Sequence, residues 1–444
     1  MFNAHDPDSH RLSHGPAQPA ARRKTLPSNG SRQRFRERER HIWIYRWELR
    51  SGSAVRTGTG TVRAMSAESV EGLAQLTRIG PATPAGELLR RYWFPVAVVS
   101  EVGDGPARTR LLGEDLVIFR DRKGAWGALD MACPHRGASL SFGKVVPGGI
   151  RCAYHGWSFA TDGTCFSQPN LPPGREIGSV GEIAHHAAEQ GGLVFVRLRS
   201  GRSPVPPVPR FDILVAEGGR RGYYSAIYHC NYLQVLENLS DPLHPSFLHS
   251  DVRKEAGAET QSASQLRYDS RVPRRARFVE TPQGIKSTII TELGAGKEFL
   301  HSINFCMPGL IRSSVSDPHT PGGKEAFAQV SQWVVPIDDT TTNVLFCVHV
   351  PEGSPLPEDY LPRWKVVTKH VDDQDKDVLE SLGSVVNRRA EHLVSSDDGV
   401  RLLRKVLLQQ LFDSKEGKPL KGFPPAGDPG ATLVFDSDDT IVQT

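Results

Sequence analysis

Six cysteines in 444 residues, at 133, 152, 165, 230, 306 and 347, are too few and too scattered to staple a small secreted domain. They fit a reducing, cytoplasmic setting. No apolar run approaches the roughly 20 residues of a membrane-spanning helix, and no internal repeat points to a solenoid. Excess charge of one sign is also lacking, the formal net charge being +4. That small excess is local: residues 1–64 carry 13 of the 54 Lys and Arg but 5 of the 50 Asp and Glu, leaving 41 against 45 in the rest. A mildly acidic body gives no reason to expect nucleic-acid binding.

The first 64 residues stand apart. Arg22-Arg23 has no apolar run behind it, so neither a secretory nor a twin-arginine signal is expected. The run SRQRFRERER reads as a solvated, disordered extension before it reads as a binder of anionic surfaces. Met65 opens MSAESVEGLAQLTRIG, which has the look of a folded beginning. Residues 1–64 are therefore expected to be an over-long start or a dispensable arm.

Short β-rich runs between Gly, Pro and Asp-Gly turns fill residues 110–200, for example LVIFR and GGLVFVRL, and predict antiparallel strands. GRSPVPPVPRF at 201–211 interrupts them and marks a domain boundary. Further strand-like runs follow, such as GIKSTIITEL and TTNVLFCVHV. After Ser395 and Ser396, Val400, Leu403, Leu407, Leu408 and Leu411 share one face of a predicted helix.

Two segments carry chemistry. In CPHRGASLSFGKVVPGGIRCAYHGW, Cys133-x-His135 is followed after sixteen residues by Cys152-x2-His155. Thiolates with imidazoles suit zinc or an iron–sulfur centre. A structural zinc site usually opens with a Cys-x2-4-Cys pair, whereas each pair here is mixed. The mixed spacing is that of a Rieske [2Fe–2S] centre, in which Cys133 and Cys152 hold one iron and His135 and His155 the other. Gly137 and Gly156 allow close backbone approach, and Trp157 is placed to shield the cluster. A zinc site and four unrelated side chains are the alternatives.

In NYLQVLENLSDPLHPSFLHS, Asp241-x2-His244-x4-His249 offers two imidazoles for a facial triad holding Fe(II), against the commoner role of hydrogen-bonded structural histidines. Residues five apart sit about 140° apart on a regular helix, so convergence requires a break or a π-bulge, for which Pro242 and Pro245 provide a cause. The third ligand is expected from VDDQDKDVLESLG at 371–383. On a helix Asp375 shares a face with Val371, Val378, Leu379 and Leu382, whereas Asp377 neighbours Asp373 and Glu380. Asp375 is the choice and Asp372 the second; a solvated acidic helix start is the other reading.

With LTRIGPATPAGELLRRYWFPVA, LLGEDLVIFRD, CNYLQVLENLSDPLHPSFLH, QDKDVLESLG and SDDGVRLLRKVL, the chain from Met65 to about Phe412 resembles the α subunits of Rieske non-haem iron aromatic-ring oxygenases. It is most similar to the phthalate 4,5-dioxygenase and dehydrodivanillate O-demethylase branch. The resemblance implies an α+β chain: a Rieske β-sandwich over 65–205, a helix-grip catalytic domain over 206–412, and a tail over 413–444. It implies a terminal oxygenase that uses O2 to hydroxylate or O-demethylate an aromatic, carboxylated substrate.

The same resemblance makes Asp241 the bridge from His244 to His155 of a neighbouring subunit, and hence implies a trimer. Electrons from NAD(P)H would arrive through a separate reductase, with or without a ferredoxin. The other four cysteines lack the spacing of a plant-type cluster, and no dinucleotide fingerprint is present. A Rieske electron-transfer protein without oxygenase activity is the alternative. Arg274, Arg275, Arg277 and Arg312 are candidates to meet a substrate carboxylate, with surface solvation the plainer role for each. Phe247 and Phe305 are expected either at the pocket or in the core.

Overall fold

In the computed structural model, the described residues are 67–175, 178, 180, 183–200, 205–251, 274–315, 327–435 and 440–443. The expectation for residues 1–64 lies outside them, as does the side chain of Arg274. Residues 65–444 form one compact unit.

Two short helices, α1 (Ala67–Leu76) and α2 (Pro84–Leu89), lead in; Thr83 caps α2 by accepting from the Gly86 N–H. Strands β1 (Phe94–Val98), β2 (Ala107–Leu111), β3 (Glu114–Arg120) and β4 (Trp126–Asp130) follow. A small antiparallel sheet then forms from β5 (Lys144–Val146), β6 (Gly149–Arg151), β7 (Ser158–Phe159) and β8 (Cys165–Ser167). The chain returns through β9 (Ala184–Gln190) and β10 (Leu193–Arg197) to complete a six-stranded sheet, ordered β1-β10-β9-β4-β3-β2. The run Leu116–Phe119 and all of β10 are buried, so these strands are covered on both faces rather than alternating.

After β11 (Arg210–Phe211) and α3 (Asp212–Val215) comes β12 (Arg220–Tyr228) of an eight-stranded antiparallel sheet. Helices α4 (Tyr232–Leu239) and α5 (Pro245–Leu248) precede β13 (Arg274–Glu280), β14 (Gly284–Gly294), β15 (Lys297–Cys306), β16 (Leu310–Val315), β17 (Ala328–Asp338) and β18 (Thr341–Val350). Residues 232–237 of α4 are all buried, as expected of a helix gripped by a sheet. Even its polar groups are satisfied. Asn231 Oδ1 accepts from the Leu233 N–H, and Gln234 Nε2 donates to the carbonyl of Gly383 at 3.0 Å. Glu237 takes Arg388 at 2.9 Å and Arg404 at 2.7 Å.

Helix α6 (Tyr360–Ser381) packs on β12, and α7 (Asp398–Lys415) on α1, α2 and β13. Val400, Leu403, Leu407 and Leu411 are buried on α7 as their spacing predicts, joined by Arg404 and Gln410. The stretch 413–444, expected as a tail, includes β19 (Thr432–Leu433), which pairs with β11, and β20 (Thr440–Gln443), which pairs with β15.

The two large sheets share one core. Phe195 of β10 meets Trp333 of β17 edge-on at 6.3 Å. The Leu112 and Gly113 N–H groups donate to the carbonyls of Pro336 and Ile337, at 3.0 and 2.7 Å. Asn231 Nδ2 bonds the carbonyl oxygens of both Thr77 and Asp339, drawing the first helix and the second sheet to the start of α4.

Candidate active site

Two loops of one backbone design surround the first site. In each, the Cys N–H donates to the carbonyl five residues on, Cys133 to Ala138 and Cys152 to Trp157, both at 2.8 Å. The N–H of the Gly four residues on returns to the Cys carbonyl, Gly137 at 2.8 Å and Gly156 at 3.1 Å. Gly137 and Gly156 have φ of 74° and 75°, which a side chain would strain. The frames are therefore equal, and the histidines occupy their third and fourth positions.

Cys133 and Cys152 are buried, while His135 and His155 lie at the edge with ring centroids 4.5 Å apart. Trp157 stacks on His135 at 4.5 Å and 3°, shielding one side. Tyr154 covers His155 at 3.9 Å, with the Arg136 guanidinium 5.6 Å from the tyrosine ring. Burial pushes the Cys133 thiol up to about 11, helped by its hydrogen bond with Cys152. Desolvation, then His135 and Arg136, lower His155. Converging thiols and a pair of imidazoles form a donor set that fits a cationic [2Fe–2S] cluster, which would draw the thiols into thiolates.

At the second site, α4 ends at Leu239, and the Asp241–Leu243 turn delivers His244 to the start of α5 and His249 to its end. A break and one short helix, rather than a π-bulge, close the five-residue spacing. Their rings stand 5.6 Å apart at 79°. Asp375, on the second turn from the end of α6, directs Oδ1 to within 3.5 Å of His244 Nε2 and 3.2 Å of His249 Nε2. His244, His249 and Asp375 thus offer three ligand atoms around one point.

The opposite ring nitrogens decide what that point requires. Nδ1 of His244 faces the Asp241 carbonyl at 2.9 Å, and Nδ1 of His249 faces Gln374 Oε1 at 2.8 Å. Neither oxygen has a proton to give, so each Nδ1 carries a hydrogen and each Nε2 is the nitrogen left to face the centre of the site. Asp375 Oδ1 is buried between the two Nε2 atoms. Two Nε2 atoms and a buried carboxylate oxygen converging on one point fit a bound cation, and the outward Nδ1–H bonds are the usual support of metal-bound histidine. Burial works to raise Asp375, but the two imidazoles override it and hold the carboxyl at about 2.

A second group of possible ligands behaves differently. His185 Nε2 donates to Asp130 Oδ1 at 2.8 Å while Nδ1 accepts the Arg199 N–H at 3.1 Å, and Glu114 is paired with Arg90 at 2.7 Å. That histidine is consumed by structural hydrogen bonds.

Several expectations are corrected. Asp375 lies mid-helix rather than at a solvated helix start, because α6 begins at Tyr360. Asp372 is buried too, but Tyr228 and Tyr224 donate to its carboxylate at 2.5 and 3.0 Å, so it is engaged away from the histidines. Val378 and Leu382, expected on the inward face, are 44% and 51% exposed. Arg312 is not at the surface; it is buried against Asp212 at 3.2 Å. Arg275 is paired with Glu292 and Glu298, and Arg277 is exposed.

A small pocket is lined by Leu239, Ser240, Pro242, Ile303, Phe305 and Ile311, with Ser287 beside them. Phe305 serves both core and cavity, whereas Phe247 is 73% exposed. Asp241 Oδ1 accepts the Leu243 N–H at 2.8 Å, fixing the turn, while its Oδ2 stands 4.0 Å from His244 Nδ1. The sequence reading missed Gln374, Asp251 and His370, which lie behind His249; its only signal was that Gln374 directly precedes Asp375.

Residues 92–185 match the Rieske [2Fe-2S] domain and residues 228–413 the vanillate O-demethylase oxygenase C-terminal domain. The chain is 33% identical to phenoxybenzoate dioxygenase subunit alpha of Ectopseudomonas oleovorans, over 83% of this chain and 89% of that one. It is 31% identical to the 5,5'-dehydrodivanillate O-demethylase oxygenase subunit of a Sphingobium species, over 80% and 82%. Dicamba monooxygenase bound to 3,6-dichlorosalicylic acid has the same fold, with a TM-score of 0.59 at 20% identity over 73% of this chain and 98% of that one. Matched across both of its halves, and bearing in His244, His249 and Asp375 a group able to hold a metal ion, the chain belongs to the Rieske non-haem iron oxygenases.

Proposed function

We propose that this chain is the terminal oxygenase of a system that hydroxylates or O-demethylates an aromatic acid. Cys133 and Cys152 hold one iron of the [2Fe–2S] cluster and His135 and His155 the other; His244, His249 and Asp375 hold Fe(II). The observation that carries this reading is the convergence of His244 Nε2 and His249 Nε2 on the buried Oδ1 of Asp375. When bound, the cluster relays electrons and the Fe(II) centre activates O2. This chain's own residues do the rest. The Asp241 carbonyl and Gln374 hold the imidazoles in one tautomer, and the apolar side chains from Leu239 to Ile311 would border the ring of the substrate.

Hydroxylation of a methoxy carbon gives a hemiacetal that collapses to a phenol and formaldehyde, whereas addition of both oxygens to the ring gives a diol. Aromatic acids are favoured because relatives are named for phenoxybenzoate and dehydrodivanillate. The carboxylate is met by groups other than Arg275 and Arg312, which are already paired. Residues 65–205 form the Rieske part and 206–412 the catalytic part. The working unit is a cytoplasmic trimer in which Asp241 links His244 to His155 of the next subunit, and NAD(P)H acts through a separate reductase. Among the described residues, no helix is long and apolar enough to cross a membrane.

The test is a single turnover. Chemically reduced protein loaded with Fe(II) is exposed to O2 with methoxylated and phthalate-like aromatic acids. Formaldehyde or diol in proportion to cluster reoxidation is expected; reoxidation without product across the panel favours the electron-transfer alternative.

A further inference from the structure

Behind His249 runs a chain of hydrogen bonds whose polarity is fixed from its outer end. The Asp251 carboxylate can only accept. It takes Gln374 Nε2 at 3.0 Å on each oxygen, and His370 Nε2 at 3.2 Å on Oδ2. An amide that turns its nitrogen to Asp251 must turn its oxygen the other way. That oxygen, Oε1, faces Nδ1 of His249 at 2.8 Å and obliges Nδ1 to be the protonated nitrogen. Nε2, 3.2 Å from Asp375 Oδ1, is thereby the nitrogen left for a metal ion. His244 needs no such chain, because a backbone carbonyl three residues away does the same for it.

We propose that Asp251 and Gln374 are positioning residues that set which nitrogen of His249 is available to the iron. Asp251 supplies the polarity and Gln374 transmits it. The inference rests on the reading of His249 as an iron ligand. Its specific content is that acceptor character at position 251, rather than packing at position 374 alone, governs metal affinity.

A residue that can only donate at position 251 would invert the chain. Asp251→Lys would draw Gln374 Oε1 to itself, leave the amide N–H facing His249 Nδ1, and force the ring proton onto Nε2. Adding Gln374→Glu restores the order, because a carboxylate accepts from both the new lysine and Nδ1–H. Position 251 is half-exposed, so the substitution is tolerable there.

The probe is Co(II), measured by equilibrium dialysis on protein that retains its Rieske cluster and has been stripped of mononuclear metal. Asp251→Lys is expected to weaken Co(II) binding by about tenfold or more, the double variant to return to within about threefold of wild type, and Gln374→Met to lose about tenfold. Asp373→Lys makes the same charge change at an exposed site on α6 and controls for electrostatics alone. The proposal is overturned if Asp251→Lys matches Asp373→Lys, if the double variant binds no better than Asp251→Lys, or if Gln374→Met binds as wild type. His249→Ala separates the two levels of the argument: unchanged Co(II) affinity there would remove the ligand assignment itself.

Discussion

The hydroxyl of Tyr228 on β12 donates to Oδ1 of Asp372 on α6 at 2.5 Å, three residues before Asp375. With Tyr224 donating to Oδ2, the pair ties the iron-site helix to the catalytic sheet. Burial outweighs the two hydroxyl donors and lifts the Asp372 carboxyl from 3.8 to about 6. The folded state then holds this proton more tightly than the unfolded chain does. Its contribution to stability is full below the unfolded value and lost as pH rises through about 6, a difference of roughly 3 kcal/mol. Asp372→Asn does not titrate. Urea unfolding at several pH values between 4 and 7.5 should show wild type gaining on the variant as pH falls, and a pH-independent gap would exclude the raised carboxyl.

Glu237 is the shared acceptor of two buried guanidinium groups, Arg388 and Arg404, and Arg404 also binds Glu391 at 2.8 Å. Glu237→Gln leaves those cations poorly compensated and should cost about 3 kcal/mol of unfolding free energy. A loss under 1 kcal/mol in denaturant titrations would mean that water or Glu391 makes good the deficit.

The two metal centres should fail independently. Cys152→Ser is expected to abolish the visible absorption of the cluster. Asp375→Ala or His249→Ala should keep that absorption and lose mononuclear iron and product. A native Rieske EPR signal in the Cys152 variant, or full activity in the Asp375 variant, would contradict the respective ligand assignment.

Asp241→Asn tests the proposed link between subunits. The amide can still accept the Leu243 N–H, so the turn should persist while the anionic character is lost. Cluster and iron content should hold, and reoxidation of the cluster in a single turnover should slow by orders of magnitude. A wild-type rate would restrict Asp241 to shaping the turn.

What could be read beforehand followed sequence distance. The cluster loops were legible because each frame closes within six residues on Cys and Gly positions. His244 and His249 were legible for the same reason. Asp375 was found by helical periodicity, but that logic placed apolar Val378 and Leu382 inward and took Asp372 for a spare ligand. A buried carboxylate satisfied by Tyr224 and Tyr228 lies 148 and 144 positions from its partners. No local pattern encodes such a pairing, nor that of Arg312 with Asp212 or Gln374 with His249.

The seam between the sheets has a consequence for dissection. Leu112 and Gly113 bond the end of β17, Asn231 ties Thr77 to Asp339, and Phe195 packs on Trp333, so apolar surface and main-chain bonds run from one half into the other. Cutting at the Pro-rich stretch would expose that shared core on both fragments. Calorimetry of the intact protein should give a single endotherm rather than two, and neither half expressed by itself should remain monomeric and soluble. An independently melting cluster half would show that the seam is a contact between finished modules instead of part of one cooperative body.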